Sequence, residues 1–370
     1  MFKRRRQPTS LVGLELDPSH IAAAEVAVNG SISVIRGAVA PLRPGVLRDG
    51  EASDPAALAE ALRELFDAND LPRRVRLGIA NQRIVVRSLD LPVQPDSRGL
   101  EASVLSVAPD HIPMPMDEAV LDYVVLGPRE EGSDLDRVLL VAAQKEMISR
   151  YSSAVRAAGL RPSGVDVKAL SLVRSTLPVA FFDDEGAVLL LDIGTEITNL
   201  VVAQDGGPTL TRFIPGGSGY LAQVVAETAD LTEEEAERQL MNPRVRIGPE
   251  PEEEAGAFDP SEEDFDPALM FDIRRSLEDA VQALAEDVQR SIEYHYSQPG
   301  AREVTRVFVS GEGALINGFD AYLGDILGLD TRRGTLLEKL TANKSNVPDE
   351  QLRVMEPVLA VSLGLALEEA

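Results

Sequence analysis

The chain carries the same strand, turn, strand pattern twice, and this repetition restricts its fold more than any other feature. Residues 188–207 read Val-Leu-Leu-Leu-Asp-Ile-Gly-Thr-Glu-Ile-Thr-Asn-Leu-Val-Val-Ala-Gln-Asp-Gly-Gly. An apolar run enters a tight turn at Gly194-Thr195, leaves as a second β-rich run and reaches a hairpin turn at Asp205-Gly206. Residues 11–30 follow the same plan and close on Asn29-Gly30, a dipeptide suited to a type I′ hairpin. Each copy continues into a third β-rich run (Ser31 to Val39; Pro208 to Ile214), then helical segments and a later strand. Two such halves, each offering a turn to a common cleft, describe a clamp with phosphates held between two β-turns.

In the second copy Asp192, Gly194 and Thr195 bring a carboxylate, bare backbone and a hydroxyl to one strand end. Those are the parts of a nest for phosphate and Mg²⁺, with Asp192 the candidate metal ligand. An Asp-x-Gly-Thr turn alone is equally an ordinary hairpin turn, and the internal repeat is what gives it weight. Downstream, Gly216 and Gly217 precede a helix through Leu221, Val224 and Val225, so they either bring backbone N–H groups to a nucleotide or only form a loop. Near the end, a strand from Val304 runs into Gly311-Glu312-Gly313 and then a helix bearing Phe319, Leu323 and Ile326. A glycine turn there lets backbone approach a flat ligand such as adenosine.

The 370 residues suffice for two or more lobes. A formal charge of −25 repels nucleic acid over most of the surface, which argues against a nucleic-acid function. The chain has no cysteine, so disulfides and thiolate chemistry are excluded, and His20, His111 and His295 lack any paired metal-ligand spacing. No apolar run approaches the ~20 residues that span a bilayer. The opening Met-Phe-Lys-Arg-Arg-Arg lacks a signal peptide's apolar region, so a cytoplasmic protein is expected, with residues 1–9 a flexible basic terminus.

Residues 10–82 read as a first subdomain, with a helix capped at Asp54-Pro55 and buried through Leu58, Leu62, Leu65 and Phe66. Residues 83–165 read as an α/β insert in which His111-Ile-Pro-Met-Pro-Met-Asp-Glu118 forms an extended, exposed linker. In that linker Met114 and Met116 serve either a partner or, more often for methionine, a local core. The second lobe spans 166–218, a helical subdomain 219–296, and 297–370 with a closing helix from Pro357. A capping box is expected at Thr232 to Glu235. Residues 249–267 hold nine acidic residues and no basic one, and read as a mobile acidic loop.

The three segments, Gly13 to Ser19, Asp192 to Thr195 and Ser310 to Gly313, resemble in order the two phosphate segments and the adenosine segment of the actin, Hsp70 and sugar-kinase superfamily. Within it the whole chain is similar to the PilM family of actin-like type IV pilus assembly proteins. The carriers are the insert, the segment His111 to Glu118, the Leu191-Asp-Ile-Gly-Thr195 loop, Gly216-Gly217 and the closing Val358 to Leu367. The resemblance implies an α/β, actin-like (ribonuclease H-like) fold of duplicated βββαβα lobes with an FtsA/PilM-type insert. It implies ATP and Mg as cofactors, with Gly13, Glu15, Ser19, Asp192, Gly194, Thr195, Gly216, Gly217, Gly311 and Gly313 as contacts.

The resemblance further implies docking of the N-terminal peptide of a PilN-like membrane protein, and through it contact with a PilN/PilO-type inner-membrane complex and the pilus motor. The groove expected for that peptide lies between the first subdomain and the insert, near Arg83 to Leu91 and Arg161 to Lys168. Such a protein is cytoplasmic, peripheral to the inner membrane through its partners. The alternatives are an FtsA-like cell-division protein, disfavoured by an ending Glu368-Glu369-Ala370 without a basic amphipathic tail, and a sugar-kinase-type phosphotransferase, for which no catalytic carboxylate stands out.

The first loop departs from the family's Gly-x-Asp-x-Gly-Ser-Ser and following Lys. Here stand Glu15, Asp17 in place of Gly, Pro18 in place of Ser and Ala22 in place of Lys. One like-charge contact at roughly 4 Å and an effective dielectric of about 20 costs about 4 kcal/mol before screening. Glu312 likewise replaces the second glycine of the adenosine turn. With one of three segments intact, a nucleotide-binding adaptor with at most slow ATPase activity is expected, and no residue is assigned a catalytic role.

Overall fold

The computed structural model describes residues 11–28, 32–48, 50–129, 132–176, 186–242, 244–248, 267–334, 340–345 and 347–367. The basic terminus, the Asn29-Gly30 turn and the expected acidic loop, apart from Pro267, lie outside the described residues.

Strands β1 (Val12–Leu16), β2 (His20–Val28) and β3 (Ile32–Pro41) form an antiparallel meander. A small hairpin, β4 (Leu47–Arg48) and β5 (Glu51–Ala52), leads into helix α1 (Pro55–Ala68). The Asp54 carboxylate accepts from the N–H groups of Ala56 and Ala57, and Leu58, Leu62, Leu65 and Phe66 face inward, as the sequence predicts. Strand β6 (Arg74–Ile79) then returns parallel to β1.

The insert consists of β7 (Val85–Pro92), α2 (Ser97–His111), β8 (Ala119–Pro128) and β9 (Leu135–Gln144), with strand order β7-β9-β8. Its core gathers Val85, Leu89, Val104, Ala108, Val138 and Leu140. The segment expected as an exposed linker folds onto this core instead. Ile112 is buried and the half-buried Met114 and Met116 pack beside it, the chain bending at 113–114 and turning at 116–118 rather than running extended.

After the insert come α3 (Lys145–Ala157), β10 (Arg161–Val167) and α4 (Lys168–Thr176). The second lobe opens with the meander β11 (Ala187–Ile193), β12 (Ile197–Gln204) and β13 (Gly207–Pro215). Positive φ angles at Asp205 (52°) and Gly206 (79°) make the expected hairpin turn. Helices α5 (Ser218–Ala229), α6 (Glu233–Leu240) and α7 (Pro267–Tyr296) follow, α6 beginning with the predicted capping box at Thr232 and Glu235. Strand β14 (Val304–Ser310), a 3-10 turn (Glu312–Leu315), α8 (Phe319–Leu327), β15 (Asp330–Arg333), β16 (Leu340–Asn343) and α9 (Asp349–Ala366) complete the chain.

The duplication is visible in the strand orders. The first sheet runs β10-β6-β1-β2-β3-β16 and the second β15-β14-β11-β12-β13. In each, the first strand of the meander lies beside a parallel strand that in turn pairs parallel with another. Strand β10 is therefore the fifth strand of the first repeat, the counterpart of β15. This corrects the boundary expected from sequence. The insert ends near Gln144, and α3 and β10, read as part of it, rejoin the first lobe because β10 bonds to β6 and α3 packs on α1.

The carboxyl-terminal region crosses back as well. Expected as second-lobe structure, β16 pairs parallel with β3, and α9 packs on β1, β2 and α4. Helix α9 begins at Asp349 and holds Pro357 inside it rather than starting there. Two glycines allow this packing. A Cβ on Gly13 would sit 1.9 Å from the Ser362 carbonyl oxygen, and one on Gly364 would sit 1.9 Å from that of Ser171. Gly364→Ala tests this close approach. Helix propensity alone favours alanine by about 1 kcal/mol. Here overpacking against backbone wins, and a loss of about 3 kcal/mol or more is expected in urea unfolding; an unchanged or raised midpoint would refute the packing argument.

Candidate functional site

The two sheets meet where β1 and β11 end, and the seam between them holds a buried charge cluster. Glu15 on β1 and Lys168 at the start of α4 are 4% and 5% exposed and form an ion pair with Nζ to Oε1 at 2.8 Å. Burial by itself would depress the Lys168 ammonium, but the charges of Glu15, Asp17 and Asp192 around it raise it above the ordinary lysine value. One ammonium does not balance three carboxylates. Asp192, on β11, is pushed up to about 7 by burial and by the Glu15 charge, although Lys168 and a hydrogen bond from Asn199 pull it down. Its Oδ2 accepts from Asn199 Nδ2 at 2.9 Å and its Oδ1 from Ser310 Oγ at 3.4 Å. Asn199 Oδ1 is buried without a partner, so a flip of that amide would let it accept from protonated Asp192.

In front of this cluster the two hairpin turns touch. Asp17 closes the first turn through its own N–H to the His20 carbonyl at 2.9 Å, and its Oδ1 accepts from Ser19 N at 3.1 Å. Across the seam, the Asp17 carboxylate also accepts from Thr195 Oγ1 and from Thr195 N, the latter at 3.3 Å. Burial raises its pKa, but the charges of His20 and Lys168 and the hydrogen bonds from Thr195 and Ser19 outweigh that and hold it below the usual aspartate value. Glu312, from the 3-10 turn, points inward. Its Oε2 lies 2.9 Å from Ser19 Oγ, 3.0 Å from Ser218 Oγ and 3.4 Å from Thr195 Oγ1. Ser19 and Thr195 each carry one hydroxyl proton, so each shares it between the two carboxylates.

The glycines identified from sequence serve this junction. A Cβ on Gly194 would lie 2.8 Å from Asp17 Oδ2, and one on Gly217 would lie 1.9 Å from the Gly194 carbonyl oxygen. Gly216 (φ +97°) donates its N–H to the Glu196 carbonyl. Cβ atoms on Gly311 and Gly313 would strike Ile193 at 2.5 and 2.3 Å, so bare backbone there seats the 3-10 turn on the end of β11. Gly13 is not in this group: a Cβ there would meet α9 at Ser362, Leu365 and Ala366. Asp192 lies behind the turns; among the described residues, the carboxylates and imidazole close enough to share a cation are Asp17, His20 and Glu312, with ligand atoms within 4.8 Å of one another.

Outward from the turns opens a cleft of about 860 Å³, within the ~300–1,000 Å³ of small-molecule sites. Beside apolar residues such as Leu42 and Leu47, its charged lining is Arg48 against Glu196, Glu233, Glu234 and Glu237. In this state the residues do not fit a nucleotide phosphate. The N–H groups of Gly194, Thr195, Gly216, Ser218, Gly219 and Gly311 all donate within the protein, and Asp17 and Glu312 occupy the hydroxyl donors. The sequence marked Asp17 and Glu312 as departures; it gave no sign of Lys168, Ser218 or His20, whose roles arise only from three segments meeting.

A family model described as "Type IV pilus assembly protein PilM" matches residues 13–246 and 264–370. Among solved structures, a chain of a "PilM-PilN type IV pilus biogenesis complex" superposes with a TM-score of 0.80 and 26% identity, covering 97% of this chain and 98% of that one. The ethanolamine utilization protein EutJ from Carboxydothermus hydrogenoformans gives a TM-score of 0.54 at 17% identity, over 97% and 90% of the two chains. MreB5 of Spiroplasma citri bound to AMPPNP gives 0.55 at 13% identity, over 97% and 95%. The last two share the actin-like fold. No helix among the described residues is long and apolar enough to cross a membrane.

The charge cluster makes two predictions. Replacing Lys168 with Met leaves Glu15 buried and unpaired and should cost about 3–5 kcal/mol in urea unfolding, with part recovered when Glu15→Gln is added; equal losses in the single and double variants would count against the pair. The second concerns Asp192, whose pKa is raised on folding from 3.8 to about 7. Between those values the folded chain holds a proton that the unfolded chain releases, so this group's contribution to stability falls as pH rises through that window. Asp192→Asn should flatten the dependence and stabilise the chain more at pH ~8 than at pH ~5; a parallel offset at both would exclude Asp192 as its source.

Proposed function

The chain belongs to the PilM family of type IV pilus assembly proteins, and from that membership we propose that it is a docking scaffold for the N-terminal cytoplasmic tail of a PilN-like membrane protein. The observation that carries this reading is the superposition, over nearly the full length of both chains, on a PilM from a complex with PilN. In this role the chain sits at the cytoplasmic face of the inner membrane, held there by its partner.

The groove proposed for the tail lies between the first subdomain and the insert, with β10 as its candidate edge. That strand is an edge of the first sheet, and its outer side has no strand partner among the described residues. An extended peptide can add to such an edge through main-chain hydrogen bonds, with side-chain contacts supplying specificity. Arg161 and Ser163 are exposed on β10 and Arg87 on β7. Lys168, one of the contacts expected from sequence, drops out because it is buried against Glu15. Arg83, another contact expected from sequence, is bonded to Glu51 at 2.6 Å.

This function asks for no chemistry at the cleft, and docking is expected without added nucleotide. Calorimetric titration of the full chain with a synthetic tail of the PilN-like protein should give one-to-one binding. Arg87→Glu with Arg161→Glu should weaken it about tenfold or more, a loss of about 1.4 kcal/mol. Absence of binding, together with direct sedimentation on anionic liposomes, would favour an FtsA-like role instead.

A further inference from the structure

The two side chains that fill the phosphate-binding turns are the two at which the sequence departs from the glycines of the family pattern. We propose that Asp17 and Glu312 form an internal latch: their carboxylates take the hydrogen-bond donors that would otherwise receive nucleotide phosphates, hold the two lobes together without nucleotide, and compete with any phosphate for the cleft.

Asp17 belongs to the first lobe and Thr195 to the second, and the carboxylate of one accepts both the hydroxyl and the backbone N–H of the other. Glu312 crosses in the opposite sense, from the second lobe to Ser19 of the first, and takes Ser218 from the helix α5 terminus in addition. Two anionic groups thus sit at a convergence of three hydroxyls and a turn N–H, which is how a phosphate is held. Gly194 is shaped to this arrangement, since any side chain there would meet Asp17 Oδ2. Around the latch the cleft carries Glu196, Glu233, Glu234 and Glu237, a field that disfavours an incoming polyphosphate.

A divalent cation shared by Asp17, His20 and Glu312 is the competing account of the same cluster. Direct hydrogen bonding is favoured because Ser19 and Thr195 already donate to Asp17, and Ser19, Thr195 and Ser218 to Glu312.

The inference rests on reading the cleft as a nucleotide site, independently of tail docking. Its test uses the full chain without nucleotide, in chelator, and follows hydrogen exchange at the turn around Thr195. Asp17→Asn and Glu312→Gln, which keep shape and remove charge, should each speed exchange there at least tenfold while the central strands stay protected. The Asp17→Gly, Glu312→Gly double variant should bind Mg·ATP at least tenfold more tightly than the original chain. Unchanged exchange in both conservative variants would overturn the latch, and so would measurable Mg·ATP binding of equal affinity in the original and double variant. Exchange in the original chain that slows at least tenfold on adding Mn²⁺, and only while Glu312 is present, would overturn it in favour of the cation. If exchange rises but no variant binds Mg·ATP, the latch stands as an interlobe contact and the nucleotide-site reading falls.

Discussion

The buried ammonium of Lys168 is the interaction on which the seam depends. It is the cation set among Glu15, Asp17 and Asp192, all nearly inaccessible to water. Charges so placed stabilise a fold only when geometry and additional hydrogen bonds offset their desolvation. The three carboxylates meet that requirement differently. Glu15 takes the ammonium directly, Asp17 collects hydroxyl and backbone donors from across the seam, and Asp192 takes up a proton more readily than an ordinary aspartate. That division fixes Asp17 as an anion at neutral pH and sets it facing Thr195.

The seam is also where covalent order and spatial order part company. The chain builds one lobe, interrupts it with the insert, builds the second lobe and then returns. Strand β16 and helix α9 close the first lobe only after the second is complete. Helix α9 is pressed between β1 and α4 by glycine contacts too close for any side chain, so the first lobe cannot finish packing until the end of the chain arrives. Long-range closure of this kind ties the lobes into one cooperative unit at the cost of slow, non-local contacts.

For a docking protein this organisation has a clear consequence. The edge strand β10 runs directly into α4, whose first residue, Lys168, sits in the seam. The cleft and the proposed peptide groove are thus two sides of one connection.

The sequence by itself determined the duplicated lobes, most strands and helices, the caps at Asp54 and Thr232, and the positions of the turns that form the cleft, because each follows from local periodicity, turn chemistry or repetition. It also marked Asp17 and Glu312 as unusual at those turns. It left their effect open: a carboxylate near a phosphate site reads as repulsion when its partners are unknown, and only the meeting of Ser19, Thr195 and Ser218 makes it an acceptor. The end of the insert was decided by pairing between β10 and β6, and Gly13 was assigned to helix packing by α9, which lies some 350 residues away in sequence. The burial of Lys168 was likewise invisible, since one lysine at a helix start looks solvated until acidic side chains from β1, the turn after it and β11 surround it. Local pattern fixes an element; which charges face one another is settled by contacts between distant parts of the chain, and those exist only in the folded structure.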